Sequence, residues 1–346
     1  MAFDNARHVS VLFVSSNGSL TWEWDGTAWT LRSEIGPSPR GGHAMAYDSA
    51  RAVTVLFGGN DVSANFGDTW KWNGTAWSQP SIDGPSPSPR TAHAMSYDMA
   101  RGVVVLFGGL ANSGLADDTW EWDGATWSQV GNEGPSPPPR GGHAMAYDSG
   151  RGVTVLFGGV SSAGHLGDTW EWDGTSWMQV SLEGPSQRRR HAMAYDDTRS
   201  VTVLFGGLEV GNFGDTWEWD GLAWRLRSDS GPSARFSHAM AYDSARDVTV
   251  LFGGGGLGAG VFHHFGDTWE FDGLCCAIQD AGNHVNSVEK KALASLGNHA
   301  AFLNCLAGPD VDPPSCAEAC LAAFDFDEDG DVDLEDFSAF LNLLQE

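Results

Sequence analysis

A unit of just under fifty residues recurs along this chain, and that repeat constrains the fold more than any other feature. The run VLFGG or a relative of it centres on Phe13, Phe57, Phe107, Phe157, Phe205 and Phe252, at steps of 44, 50, 50, 48 and 47 residues. HAMAYD recurs from His43, His143, His191 and His238, with HAMSYD from His93, and the first unit keeps only Met1-Ala2-Phe3-Asp4. GDTWEWDG starts at Gly167, with near-copies from Gly67, Gly214 and Gly266, DDTWEWDG from Asp117 and LTWEWDG from Leu20. Trp29, Trp77, Trp127, Trp177 and Trp224 each follow such a doublet. Self-similarity at this period means a unit that cannot bury its apolar face alone and must stack on its neighbours.

The unit from His143 to Val180 shows what is repeated. HAMAYD, VTVLFGG, DTWEWDG and SWMQV are β-branched, aromatic and alternating, which is strand patterning. Asp148 to Arg151 makes a tight turn between the first two, and Asp173-Gly174 between the last two is a strong hairpin signal. A four-stranded antiparallel unit written six times is a propeller blade. All 16 tryptophans and all 5 tyrosines fall in repeat slots. A slot filled in every unit serves what every unit needs, the packing of one twisted sheet on the next. The alternative is a tryptophan array that binds sugar.

The double glycine after the second strand, the aromatic pair in the third and the tryptophan in the fourth make residues 1 to about 274 resemble kelch repeats, and the DTWEWDG form looks like bacterial extracellular kelch proteins. The resemblance implies an all-β, six-bladed kelch-type β-propeller over residues 1–280. It also implies that the strand after a recurrent arginine is the innermost one. Arg40, Arg90, Arg140, Arg188 and Arg235 would then ring one mouth of the axial channel, with His43, His93, His143, His191 and His238 just inside. These arginines either bond loop carbonyls of the neighbouring blade or form an anion or sugar site, and Arg189 and Arg190 add charge to one sector. Strand alternation puts the proline-rich and the variable connections on one face, where a propeller would bind a ligand. The longest variable loop, Gly253 to Asp267, carries His263 and His264, which could touch a ligand or metal. Galactose oxidase, a kelch-type enzyme, builds a copper site from tyrosines, histidines and a Tyr-Cys crosslink. Here every tyrosine is a repeat residue and all 5 cysteines follow residue 274, so that site is not expected.

After Asp280 the composition changes. Residues 281–298 read as a helical linker or degenerate first repeat, and 299–346 as a small α-helical dockerin-like EF-hand module. Asp325, Asp327, Asp329, Gly330, Val332, Asp333 and Asp336 fill loop positions 1, 3, 5, 6, 8, 9 and 12, and Asp331 would offer its carbonyl at position 7. Hard oxygens at that spacing, with glycine at the sharp turn, converge on Ca²⁺. Asp336 in place of the usual glutamate resembles dockerin loops. AAFLNCL (Ala300 to Leu306) echoes SAFLNLL (Ser338 to Leu344), as an older duplication would.

The formal net charge of -26 argues against nucleic acid and anionic membranes, and no apolar run is long enough to span a bilayer. The expectation is a secreted or cell-surface binding or adhesion propeller for an extracellular protein or glycan. The Ca²⁺ module would attach it to a scaffold or cell-surface partner, and the rival is a carbohydrate-active enzyme. Met1 aligns inside a first strand, past the Arg and His slots, and no signal peptide precedes it. The sequence therefore reads as lacking an upstream part, and the last blade as lacking its fourth-strand tryptophan.

Overall fold

The computed structural model describes residues 1–15, 18–131, 134–228, 231–258, 261–273 and 279–280. The acidic loop from Asp325 to Asp336, the dockerin-like module and the five cysteines lie outside the described residues. Six four-stranded antiparallel sheets follow one another, each with its strands in chain order. Blade 1 comprises Ala2–Asp4, Val9–Val14, Leu20–Trp24 and Trp29–Ser33. Blade 4, with the longest strands, comprises Ala144–Asp148, Val153–Ser161, Gly164–Trp172 and Trp177–Ser181. Blades 2, 3 and 5 repeat the plan over 44–78, 94–130 and 192–228. Blade 6 takes Gln279–Asp280 as its fourth strand, paired with Trp269 and Glu270, so its third strand is not left as a bare edge. The first strands pack side by side in a closed circle, blade 1 touching both blade 2 and blade 6.

Alternation along each first strand sends side chains to the two neighbouring blades. Met45 and Tyr47 pack on Val11, Phe13 and Trp72 in one seam, while Ala46 joins Met95 and Trp122 in the next. The tryptophans divide into three roles. In blades 2 to 6 the first of the pair donates its indole N–H to the aspartate two residues earlier, as Trp170 does to Asp168 at 2.7 Å. In blades 1, 2, 4 and 5 the second reaches back one blade to a glutamate, as Trp219 does to Glu171 at 3.1 Å, whereas blade 3 has no glutamate for Trp122 and blade 6 has Phe271 at this place. The fourth-strand tryptophan reaches back to a threonine: Trp77 to Thr21, Trp127 to Thr69, Trp177 to Thr119 and Trp224 to Thr169, at 2.7–2.9 Å. Trp72, Trp122, Trp127, Trp172, Trp177 and Trp219 are fully buried. Packing, not display, is therefore what these rings do.

The ring closes with the same contacts. Trp24 and Trp29 of blade 1 bond Glu270 and Thr268 of blade 6 at 3.1 and 2.8 Å, across 246 and 239 residues of chain. The seam between blades 5 and 6 departs from the pattern: Phe271 stands where a tryptophan would be, and among the described residues Thr216 Oγ1 is buried without a partner.

The Asp-Gly turns lie on the face opposite the long loops, and each is capped by the arginine of the preceding blade's first turn. Gly174 has φ +96°, and a Cβ there would sit 2.7 Å from Arg101 Nε. Arg101 is held by Asp98 and Glu121, so it has little room to yield. Gly174→Ala is expected to cost about 1–2 kcal/mol, whereas Gly131→Ala, with open space around it, should be near neutral. Urea midpoints of the two variants test this.

Candidate binding face at the channel mouth

The long connections do share a face, because they pair with each other. The segment after each recurrent arginine bridges the loop after the second strand, through Gly41 with Asn60, Thr91 with Leu110, Gly141 with Val160, Arg189 with Leu208 and Phe236 with Gly255. The recurrent arginines lie beneath that face. Arg40, Arg90, Arg140, Arg188 and Arg235 are at most 2% exposed. Arg140 bonds both oxygens of Asp168 at 2.7 Å and the Gly158 carbonyl at 2.9 Å, all within its own blade. Arg40 with Asp68, Arg90 with Asp118, Arg188 with Asp215 and Arg235 with Asp267 repeat the arrangement. Phe66, Phe213 and Phe265 cover three of the guanidinium groups at 4.0–4.1 Å. The sequence pattern and the kelch resemblance place these arginines around the mouth, or on loop carbonyls of the neighbouring blade. The structure corrects both: the aspartate of each GDTW run draws the guanidinium inward, and Nε, Nη1 and Nη2 are all used. Burial pushes the Asp168 carboxyl up, but Arg140 and the Trp170 indole outweigh it and hold it below the usual aspartate value.

The five histidines lie between blades, each with its ring edge against the second-strand phenylalanine of the preceding blade, as His143 against Phe107 at 5.6 Å. Both ring nitrogens of His93, His143, His191 and His238 are buried without a hydrogen-bond partner. The Phe107 carbonyl faces His143 but completes no well-formed bond. Burial first, and the Arg140 charge second, lower His143 to about 3, and His43 and His238 reach the same range.

The face itself is built around a collar of left-handed residues. Gly42, Ala92, Gly142, Arg190 and Ser237 have φ between +55° and +68°. Ala92 N–H donates to Gly42, Gly142 to Ala92, Arg190 to Gly142 and Ser237 to Arg190, at 2.7–2.8 Å. Three of these residues are not glycine, a backbone cost that persists where surrounding structure enforces it. Arg190 is the long side chain of the collar. A Cβ on Gly142 would meet Arg189 Cβ at 3.4 Å and Arg190 Cγ at 3.7 Å, so both side chains lie on the neighbouring blade's collar residue. Solvent reaches Arg190, yet its surroundings and the Arg189 charge lower its pKa. Every other described arginine has a carboxylate within ion-pair distance; Arg189 and Arg190 have none among the described residues. Nothing in the repeat pattern marked them beyond their extra charge.

His263 and His264 are exposed on the strand Val261–His264, which pairs with Gly255–Gly258 in a short hairpin, and His264 rests against Phe262 at 4.7 Å. Among the described residues no three His, Cys, Asp or Glu side chains converge on a metal position. No described helix is long and apolar enough to cross a membrane.

A closed ring of six stacked sheets, with side-chain anchors spent internally and one face built of long loops, defines a binding β-propeller. Residues 8–207 match the family described as the KLHDC2/KLHL20/DRC7 Kelch-repeats domain, and the chain belongs to that kelch-repeat family. Kelch domains are protein-binding propellers. No curated protein matches the chain.

The buried histidines between the blades make stability depend on pH. The folded pKa lies below the ordinary 6.5, so the unfolded chain binds more protons between pH 6.5 and about 3. Stability therefore falls as pH drops below 6.5, by about 1 kcal/mol per histidine at pH 5.5. Denaturant midpoints should fall between pH 7.5 and 5.5, and His143→Leu should lessen the fall. Equal losses in both proteins would refute this.

Proposed function

We propose that this chain is a non-catalytic binding propeller that grips an acidic segment of a protein partner on its long-loop face, with Arg189 and Arg190 as the charged contact. The observation that carries the reading is the isolation of these two guanidinium groups in a protein of net charge -26, where every other described arginine is paired. Arginine presents a planar fork of donors to carboxylates, and unpaired cations in an acidic protein concentrate the attraction at one place. Val62, Leu110, Val210 and Phe262 are exposed on the surrounding loops and supply apolar contact. The glycan reading has less support, since the rings that would stack on sugar are spent in the seams.

A glutamate-rich peptide probes the site. Arg189→Ser with Arg190→Ser should weaken binding about tenfold or more and flatten its salt dependence, with the melting temperature unchanged. Unchanged affinity in the double variant, with Arg225→Ser as the flank control, would contradict the reading.

We further propose a secreted or cell-surface location and a Ca²⁺ site on Asp325, Asp327, Asp329, Asp331, Asp333 and Asp336 in an anchoring module; the support is the spacing of the acids and Gly330. Calorimetry should show Ca²⁺ binding that Asp325→Ala with Asp336→Ala abolishes. Retention of the heat in that variant would overturn the site.

A further inference from the structure

The seams also carry a second, separate anion chemistry, visible as one departure from the repeat. In the seam after blade 1, Glu23 receives Arg7 at 2.6 Å and the Trp72 indole at 3.1 Å. In the seam after blade 3, Glu121 receives Arg101 at 2.5 Å and Trp172 at 3.4 Å. Glu171 takes Arg151 and Trp219, and Glu270 takes Arg246 and Trp24. Each of these carboxylates joins an arginine of its own blade to an indole of the next.

Blade 2 has Lys71 at this position, in TWKW instead of TWEW. Three donors are left around the place a carboxylate holds elsewhere. The indole N–H of Trp122 is buried with no partner, and the Trp122 ring is 0% exposed. Arg51, with no glutamate to engage, bonds Asp48 at 2.8 Å and the Gly102 carbonyl at 3.0 Å, and its side chain remains 39% exposed. Lys71 has no ion pair, and replacing glutamate by lysine shifts the local charge from -1 to +1. The acids nearby are committed: Asp48 to Arg51, and Asp123 to the Ala125 and Thr126 amides of its own turn. A buried donor without an acceptor is rare in folded proteins and calls for a partner.

We propose that the seam between blades 2 and 3 is a carboxylate-binding site, in which an external carboxylate takes the place of the missing glutamate, accepts the Trp122 indole N–H and is held by Arg51 and Lys71. The position borders solvent, since the equivalent Glu121 side chain keeps 15% exposure. Arg51 belongs to a short turn, so this site lies away from the long-loop face and is independent of the binding proposed there. The ligand is a carboxylate of modest size, either a free anion or an Asp or Glu side chain of a partner.

The test follows the indole N–H resonance of Trp122 in the full chain, identified by its loss in Trp122→Phe. Acetate should move it downfield relative to chloride at matched ionic strength. Lys71→Glu supplies the carboxylate internally, so its spectrum should start near the acetate-bound position and respond no further, and its melting temperature should rise. Lys71→Gln should need roughly threefold to tenfold more acetate for half-saturation. A hexaglutamate peptide acting at concentrations far below acetate would identify a protein segment as the source, while equal potency would identify a free anion. Running both titrations in Arg189→Ser with Arg190→Ser keeps the channel-mouth site from contributing. A Trp122 resonance that ignores acetate, or that responds equally in Lys71→Glu, overturns the proposal.

Discussion

The fold depends on hydrogen bonds that indole N–H groups make across the seams between blades. Each sheet is made of consecutive strands, so no strand is shared between blades to bolt the ring shut. Apolar packing brings the blades together, but packing alone is tolerant of sliding. A buried indole that must find one threonine or one glutamate on the neighbour fixes the register of blade against blade. Trp177 on Thr119 and Trp219 on Glu171 show the pair of latches that most seams carry. Beneath the loops, the Arg140–Asp168 staple and its four copies fix the start of the innermost strand to the third strand of the same blade in blades 2 to 6. The framework is rigid, and the loops above it are free to differ.

That division explains why the binding face is not where the repeat is strongest. Residues identical in every blade are consumed by what every blade needs. Arg140 and its counterparts are as charged as any residue in the chain, yet none of them is offered to solvent. In the binding proposed above, recognition falls to residues that break the pattern, Arg189 and Arg190 at the mouth and Lys71 in a seam. Their surroundings are built for the common residue, so the departure leaves charge or a donor without its usual partner.

Much of the architecture was legible in the sequence because strand patterning and the repeat period point to the same unit. The six blades and the packing role of the tryptophans followed from that agreement. The arginine ring did not, because position on an inner strand says nothing about which way a guanidinium turns. That is decided by Asp168 and its equivalents, 27 to 32 residues further on. The fourth strand of blade 6 was hidden for another reason: its tryptophan is missing, and backbone pairing at Gln279 and Asp280 needs no signature side chain. The left-handed collar left only a weak trace in Gly42 and Gly142, since Ala92, Arg190 and Ser237 adopt the same conformation without glycine.

The central claim is that side-chain latches, not a shared strand, close the ring between blades 6 and 1. Trp29 and Thr268 are 239 residues apart in sequence and 2.8 Å apart in the fold, so they can couple only if the ring is closed. A double-mutant cycle on Trp29→Phe and Thr268→Val, read by equilibrium unfolding, measures that coupling directly. The account predicts an interaction energy of about 1 kcal/mol. Additive effects, within about 0.3 kcal/mol, would contradict it.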